Sequence, residues 1–369
     1  MQRTFLVLGL LLLAACDDPA PVGVDLVDAQ SGEPFVLDVT STSPTVAEIA
    51  ETTGNATRIL FGSVTDPDFG PLEAAGYLDF VSPGVFSTAF ETEQLSDVAL
   101  LLATDYVYGD SLADISVAVR QIQDAWPGSG TTADTTLRVG SLITESTQNK
   151  RTVTLEIPMP ADWVARWDTT FRSTTFDDAF HGLEVTSASG SAIMGAAVLN
   201  SALRAVAGGD TTFFPAGRSL TRLLHSEGLP DSSQPLVFQD GRKRAVEFNF
   251  EVETGRFVLN RGIVRVTADT SLSLSVPAGF NRPSVEQLEL DWISLDGTRT
   301  PIAASFRTGN RFDFESVQLG DSLGVLVTGG SGLDRLEVRV PDGANTLSVI
   351  RLPLIDARPR ALLTVTPIQ

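Results

Sequence analysis

Short runs of β-branched and aromatic residues recur from residue 35 to residue 365 of this 369-residue chain, parted every few positions by Gly, Pro, Asn, Asp or Ser. Strands need only about 4 to 8 such residues between breakers, whereas helices need long stretches free of them. The runs include Arg58 to Phe61, Tyr77 to Phe80, Val98 to Ala103, Ile115 to Ile122, Phe257 to Val266, Gln287 to Ile293, Leu323 to Val327 and Ala361 to Val365. The pattern predicts an all-β fold. Only two stretches read as helical. Trp163, Trp167 and Phe171 share one face after Pro158 and Pro160, and Leu220, Leu223 and Leu224 form a shorter stripe before Gly228 and Pro230.

The length fits two domains, and an apparent internal repeat divides the chain between them. His181 to Gly190 aligns without gaps to Leu323 to Gly332, matching at five of ten positions. Each copy is followed by a similar strand, Ala202 to Val206 and Ala361 to Val365. The expectation is two tandem β-sandwich, jelly-roll-like domains with one or two short helices. The first covers 36–207 and the second 241–369, joined by a connector over 208–240 that holds the leucine-rich helix.

At the N-terminus, Arg3 leads into the apolar stretch Phe5 to Leu13 and the small residues Ala14 and Ala15, the three-part grammar of an export signal. The apolar run falls well short of the roughly 20 residues a membrane span requires. Leu13-Ala14-Ala15-Cys16 resembles a lipobox, at which a lipid is attached to cysteine and the chain is cut before it. Residues 1–15 are therefore expected to be a lipoprotein signal peptide, Cys16 the lipid attachment site, and 16–35 a flexible spacer rich in Asp, Pro, Gly and Ser. Cys16 is the only cysteine, so the body folds without disulfides. Two acyl chains suffice for stable anchoring, which gives a membrane partner and an envelope location, with the outer membrane, at its surface or its periplasmic face, as the expected site. Asp17 and Asp18 stand where lipoproteins carry sorting information.

A formal net charge of −20, from 46 acidic and 26 basic residues, argues against nucleic acid and anionic lipid surfaces as partners. Lys150 and Lys243 are the only lysines. Self-repulsion in so acidic a chain is relieved by salt, which predicts greater stability at high ionic strength.

No constellation of catalytic or cofactor residues stands out. His181 and His225 are the only histidines, which argues against zinc, and His181 reads as a turn residue before a strand. Oxygen-rich loops at Asp66 and Asp68, or at Asp105 and Asp110, are calcium candidates, although neither has alternating EF-hand spacing. Ser189, Gly190 and Ser191 lie in a strand-to-strand turn and not in a nucleophile elbow. Gly329-Gly330-Ser331-Gly332 joins two β runs and opens no helix, as a phosphate loop would. Arg242, Lys243 and Arg244 form a small basic spot on a hairpin. Paired acids for sugar hydrolysis cannot be singled out among so many.

Phe61-Gly62-Ser63-Val64-Thr65-Asp66-Pro67-Asp68-Phe69-Gly70, followed by an aromatic strand at Tyr77 to Phe80 and by Tyr106-Val107-Tyr108-Gly109-Asp110, resembles domain-of-unknown-function family 4270, found in lipoproteins of Bacteroidetes and relatives. Phe180 to Leu183 and Leu259 to Arg261 follow in the same order. The chain departs from that family in its three tyrosines and two lysines, fewer than the family commonly has. The resemblance implies an exported, lipid-anchored, surface-displayed β protein and no particular activity. Read from the residues, the Asp-Pro-x-Phe-Gly block needs no ligand: Asp66 accepts backbone N–H groups across a turn, Phe69 enters the core and Gly70 takes a conformation closed to other residues.

The expected function is a non-enzymatic structural or interaction module of the cell envelope, without cofactor, whose partners are envelope proteins or glycans. The alternative is a carbohydrate-binding surface lipoprotein, with Tyr106, Tyr108, Trp126, Trp163 and Trp292 as sugar platforms.

Overall fold

Strand β10 (Ala192–Ala207) organises the largest sheet, because a register shift between Ala197 and Ala202 lets each of its ends take a different neighbour. In the computed structural model, the described residues are 32–368 apart from 50–52, 68, 113, 150–152, 190, 226–235, 242–243, 253–254, 270–275, 329–334 and 343–345. Cys16, the signal segment, most of the spacer, Asp68, Lys150, Gly190, Arg242, Lys243 and the Gly329 to Gly332 run lie outside them. The described residues form antiparallel sheets with few, short helices, as the β pattern predicts. No helix among them is long and apolar enough to cross a membrane.

The ten-stranded sheet comprises β3 (Arg58–Asp66), β4 (Gly70–Phe80), β5 (Leu95–Asp110), β6 (Ile115–Ile122), β7 (Val139–Gln148), β8 (Thr154–Pro158), β9 (Leu183–Ser189), β10, β11 (Asp210–His225) and β15 (Phe280–Asn281). One edge of β10 pairs with β3 over Ala192–Ala197 and with β11 over Ala202–Ala207. Both partners then flank β4, so β10, β11, β4 and β3 close a ring. Its first core gathers Phe61, Phe80, Phe90, Phe171, Phe176, Phe180 and Phe214. The Phe171 ring lies 4.9 to 6.0 Å from those of Trp163, Phe176, Phe180 and Phe214. Burying one such ring contributes roughly 1.5–3 kcal/mol. Helix α1 (Thr88–Thr92) and helix α3 (Phe176–Ala179) pack around it. Helix α2 (Ala161–Phe171) carries the Trp163, Trp167, Phe171 stripe read from the sequence and turns it into this core.

A four-stranded sheet, β1 (Phe35–Thr40), β21 (Arg360–Pro367), β14 (Phe257–Thr267) and β18 (Arg311–Phe314), shares the second core with a five-stranded one. The latter runs β17 (Arg299–Phe306), β16 (Gln287–Ile293), β19 (Arg335–Arg339), β13 (Arg244–Phe248) and β2 (Thr45–Glu48). A pair, β12 (Leu236–Gln239) and β20 (Val349–Leu352), completes the set. Helix α4 (Val317–Val327) buries Leu319, Leu323 and Val327.

Four expectations are corrected: the leucine-rich helix, the connector that holds it, the Leu323 to Val327 strand and the repeat. Leu220, Leu223 and Leu224 are not helical but lie in β11, whose residues pair with β4 from Leu72 to Phe80. The signal for that strand was present: Gly208 and Gly209 take φ of 58° and 86°, the type I′ pair of a two-residue hairpin, and set Ala207 opposite Asp210. The connector over 208–240 is consequently strand wherever it is regular among the described residues. Leu323 to Val327, expected as a strand, is the end of α4, because the Ser316 hydroxyl caps the helix by accepting from Leu319 N at 3.0 Å. The repeat fails with it, since Leu183 to Ser189 is strand and its aligned counterpart is helix. The strand pairings also cut across the boundaries drawn at 36 and 207: β1 pairs with β21 and β2 with β13, while β11 belongs to the ten-stranded sheet.

Candidate functional site

The two sequence blocks singled out above meet at a seam where the ten-stranded sheet packs on residues from the C-terminal part of the chain. Leu60, Val64, Phe69, Leu72, Tyr108, Ile193 and Leu223 come from the ring side, and Leu347 and Val349 from the other. β15 crosses the seam, pairing with the end of β5. Immediately after it, Arg282 enters the apolar layer.

Asp66 closes its own turn by accepting from Phe69 N at 3.0 Å, with Phe69 buried and Gly70 at φ +76°, as the sequence reading expected. What the sequence did not disclose is its partner. Arg282 binds the carboxylate through two nitrogens, Nη2 to Oδ1 at 2.5 Å and Nε to Oδ2 at 3.0 Å, and the two side chains are only 4% and 1% exposed. Tyr108 OH donates to Oδ2 at 2.6 Å, and Gln239 Nε2 reaches Tyr108 OH at 3.4 Å. The guanidinium also lies 5.0 Å from the Phe69 ring centre and 5.6 Å from that of Phe280, within cation–π range. A buried charge without a partner is heavily penalised, and here each charge supplies the other's compensation. Nearby, Tyr106 OH donates to the Thr346 carbonyl, and Asp240 accepts from Thr346 N and Thr346 Oγ1.

Burial, then the Asp66 hydrogen bond and charge, raise the Tyr108 pKa above its ordinary value; burial, then the Asp240 charge, do the same for Tyr106. Tyr77, the third tyrosine, is pushed up by burial and by Glu184. Both phenols at the seam are thereby held in the protonated form that donates.

The calcium candidates are placed as follows. Asp66 faces a guanidinium, a phenol and a backbone N–H, all donors, so a cation would have to displace Arg282. Asp105 is bound through both oxygens by Arg58, and Asp110 accepts from Leu112 N and Ser191 Oγ. No group of three or more metal-ligating side chains assembles among the described residues. Of the rings offered as sugar platforms, Tyr108, Trp126 and Trp163 are buried and Tyr106 and Trp292 are half-buried against hydrophobic clusters. His181 precedes β9, and its carbonyl accepts from Trp126 Nε1 at 3.0 Å. Arg244 opens β13 opposite Glu48.

A second set of ion pairs covers the five-stranded sheet. Glu247, Glu337 and Asp291 lie in register across β13, β19 and β16. Like charges side by side repel, and arginines neutralise them. Arg299 holds Glu337 at 2.6 Å, Arg335 holds Glu247 at 2.9 Å, and Arg339 bridges Asp291 at 2.6 Å and Glu289 at 2.7 Å. Burial raises the Glu289 pKa, against the opposing pull of Arg339.

No family model matches this chain, and no curated protein matches its sequence.

Proposed function

We propose that this chain is a lipid-anchored protein of the cell envelope, tethered through Cys16, whose two β lobes serve as a non-enzymatic structural or interaction module. The observation that carries the non-enzymatic part is the fate of Asp66 and Tyr108. These are the most chemically suggestive residues of the two distinctive sequence blocks, and both are spent within the chain, Tyr108 donating to Asp66 and Asp66 pairing with Arg282 from a distant segment. The carbohydrate alternative would need exposed aromatic faces, which the five rings do not offer. The anchor reading is supported by the register of Arg3, the apolar run, Ala14, Ala15 and Cys16. The resemblance to family 4270 agrees with it in the order of its motifs.

Protease shaving of intact cells, combined with fractionation of a Cys16→Ala variant, tests the proposal. The wild-type chain is expected in the membrane fraction and cleaved from outside, and the variant in the soluble fraction. A variant that stays with the membrane would overturn the lipid anchor, and protection of the wild type from protease would place it on the periplasmic face.

A further inference from the structure

Only one edge of β14 is paired along most of its length. β21 covers Phe257 to Arg265 on one side, whereas on the other side β18 reaches only Val264 to Thr267. Phe257 to Ile263 therefore have no strand partner on that second edge among the described residues. An open edge presents directional backbone donors and acceptors at the strand repeat, a template for another strand. This one opens into a groove of about 900 Å³ between β14 and α4. Val258, Val317, Val325 and Ile368, all exposed, line it. A methyl group added at Gly320, on the α4 wall, would meet nothing within 4 Å. A methyl group at Gly262 would instead meet Leu323 at 2.7 Å, so the groove is open beside Gly320 and closes where α4 packs on Gly262.

We propose that this groove docks an extended, basic polypeptide segment of another protein, added as a strand to β14. The open edge calls for a peptide backbone, since acyl chains have no donors or acceptors to match it, and alternate side chains of such a strand would lie against the valines. Seven paired residues span roughly 23 Å at about 3.3 Å each. Charge selects the partner. Glu315 on the rim is already bound by Arg261, but Asp321, exposed beside it, has no ion-pair partner among the described residues. A second copy of this chain brings a further −20, and the chain's own spacer carries Asp17, Asp18, Asp25 and Asp28. Both are repelled where a basic segment is attracted.

This inference rests on the interaction-module reading, and its test is independent of the lipid anchor. The full chain carrying Cys16→Ser is titrated against a fluorescent octapeptide alternating valine with lysine, followed by anisotropy. Saturable binding is expected, with slowed amide exchange confined to Phe257 to Ile263. Gly320→Trp, which fills the groove from its open side, should weaken binding at least about ten-fold. Asp321→Lys should weaken it and remove the preference over the same peptide with glutamate for lysine. A peptide N-methylated at alternate residues should not bind. Absence of binding, equal binding of the N-methylated peptide, or indifference to Gly320→Trp overturns the proposal. So does binding that appears only after residues 17–31 are deleted, which assigns the groove to the spacer, or a dimer in sedimentation that Gly320→Trp abolishes, which assigns it to a second copy. None of these outcomes bears on whether Cys16 is lipidated.

Discussion

Arginine–carboxylate chemistry appears twice in this molecule, at the seam and on the five-stranded sheet, with different consequences. At the seam, Arg282 and Asp66 are 216 positions apart in the chain and both are withdrawn from water. On the sheet, Glu337 is fully buried, but its partner Arg299 keeps a side chain 39% exposed. Arg299 can exchange its partner for water at modest cost, and Arg282 cannot. Arg299 and Glu337 therefore act as charge compensation between neighbouring strands, whereas Arg282 with Asp66, like Arg339 with Asp291 at 9% and 0% exposed on the same sheet, acts as a lock. Burial of both partners, more than distance or geometry, makes the difference.

The largest effect should come from Arg282→Ala, which strands Asp66 and should lower the unfolding free energy by about 3–5 kcal/mol in urea denaturation. A loss below about 1 kcal/mol would dissolve the contrast, because the seam pair would then behave like a surface pair. Tyr108→Phe removes one donor to the same carboxylate and should cost about 1.5–3 kcal/mol. The tyrosines also give a pH test. Their folded pKa values are raised, so the stability they contribute is intact below the ordinary phenol pKa of about 10 and is lost as pH climbs above it. Native protein titrated at 295 nm should show no tyrosinate until it unfolds, and Tyr108→Phe should flatten the alkaline fall in stability.

On the sheet, Glu337→Gln keeps an acceptor for Arg299 and should cost only about 1 kcal/mol. If it matched Arg282→Ala, exposure of one partner would not be the deciding variable. Molar salt should raise overall stability by screening the net charge of −20, and should do so to the same extent in wild type and Arg282→Lys if the seam is truly dry. The smallest effect belongs to Arg138→Ala, whose pair with Asp124 is open to solvent at both ends, 68% and 54% exposed; its melting temperature should match wild type.

Much of the fold was legible because periodicity is local. Ile115–Ile122 and Gln287–Ile293 were read to the residue, and Trp163, Trp167 and Phe171 were placed together on one face of a helix. The misreadings have one cause. Leu220 to Leu224 and Leu323 to Val327 are short apolar runs whose spacing suits either helix or strand. The Gly208-Gly209 turn decided the first, and the Ser316 cap decided the second, by fixing the backbone just before the run.

The sequence by itself determined the β class and the turn built by Asp66, Phe69 and Gly70, and it carries the expectation of an export signal before Cys16, since each depends on residues close together in the chain. Only the tertiary structure decided that Asp66 answers to Arg282, that β1 and β2 complete the C-terminal sheets, and that part of one edge of β14 has no strand partner among the described residues. Those are pairings between distant segments. Any arginine would satisfy a buried carboxylate equally well as chemistry, and only packing decides which one arrives.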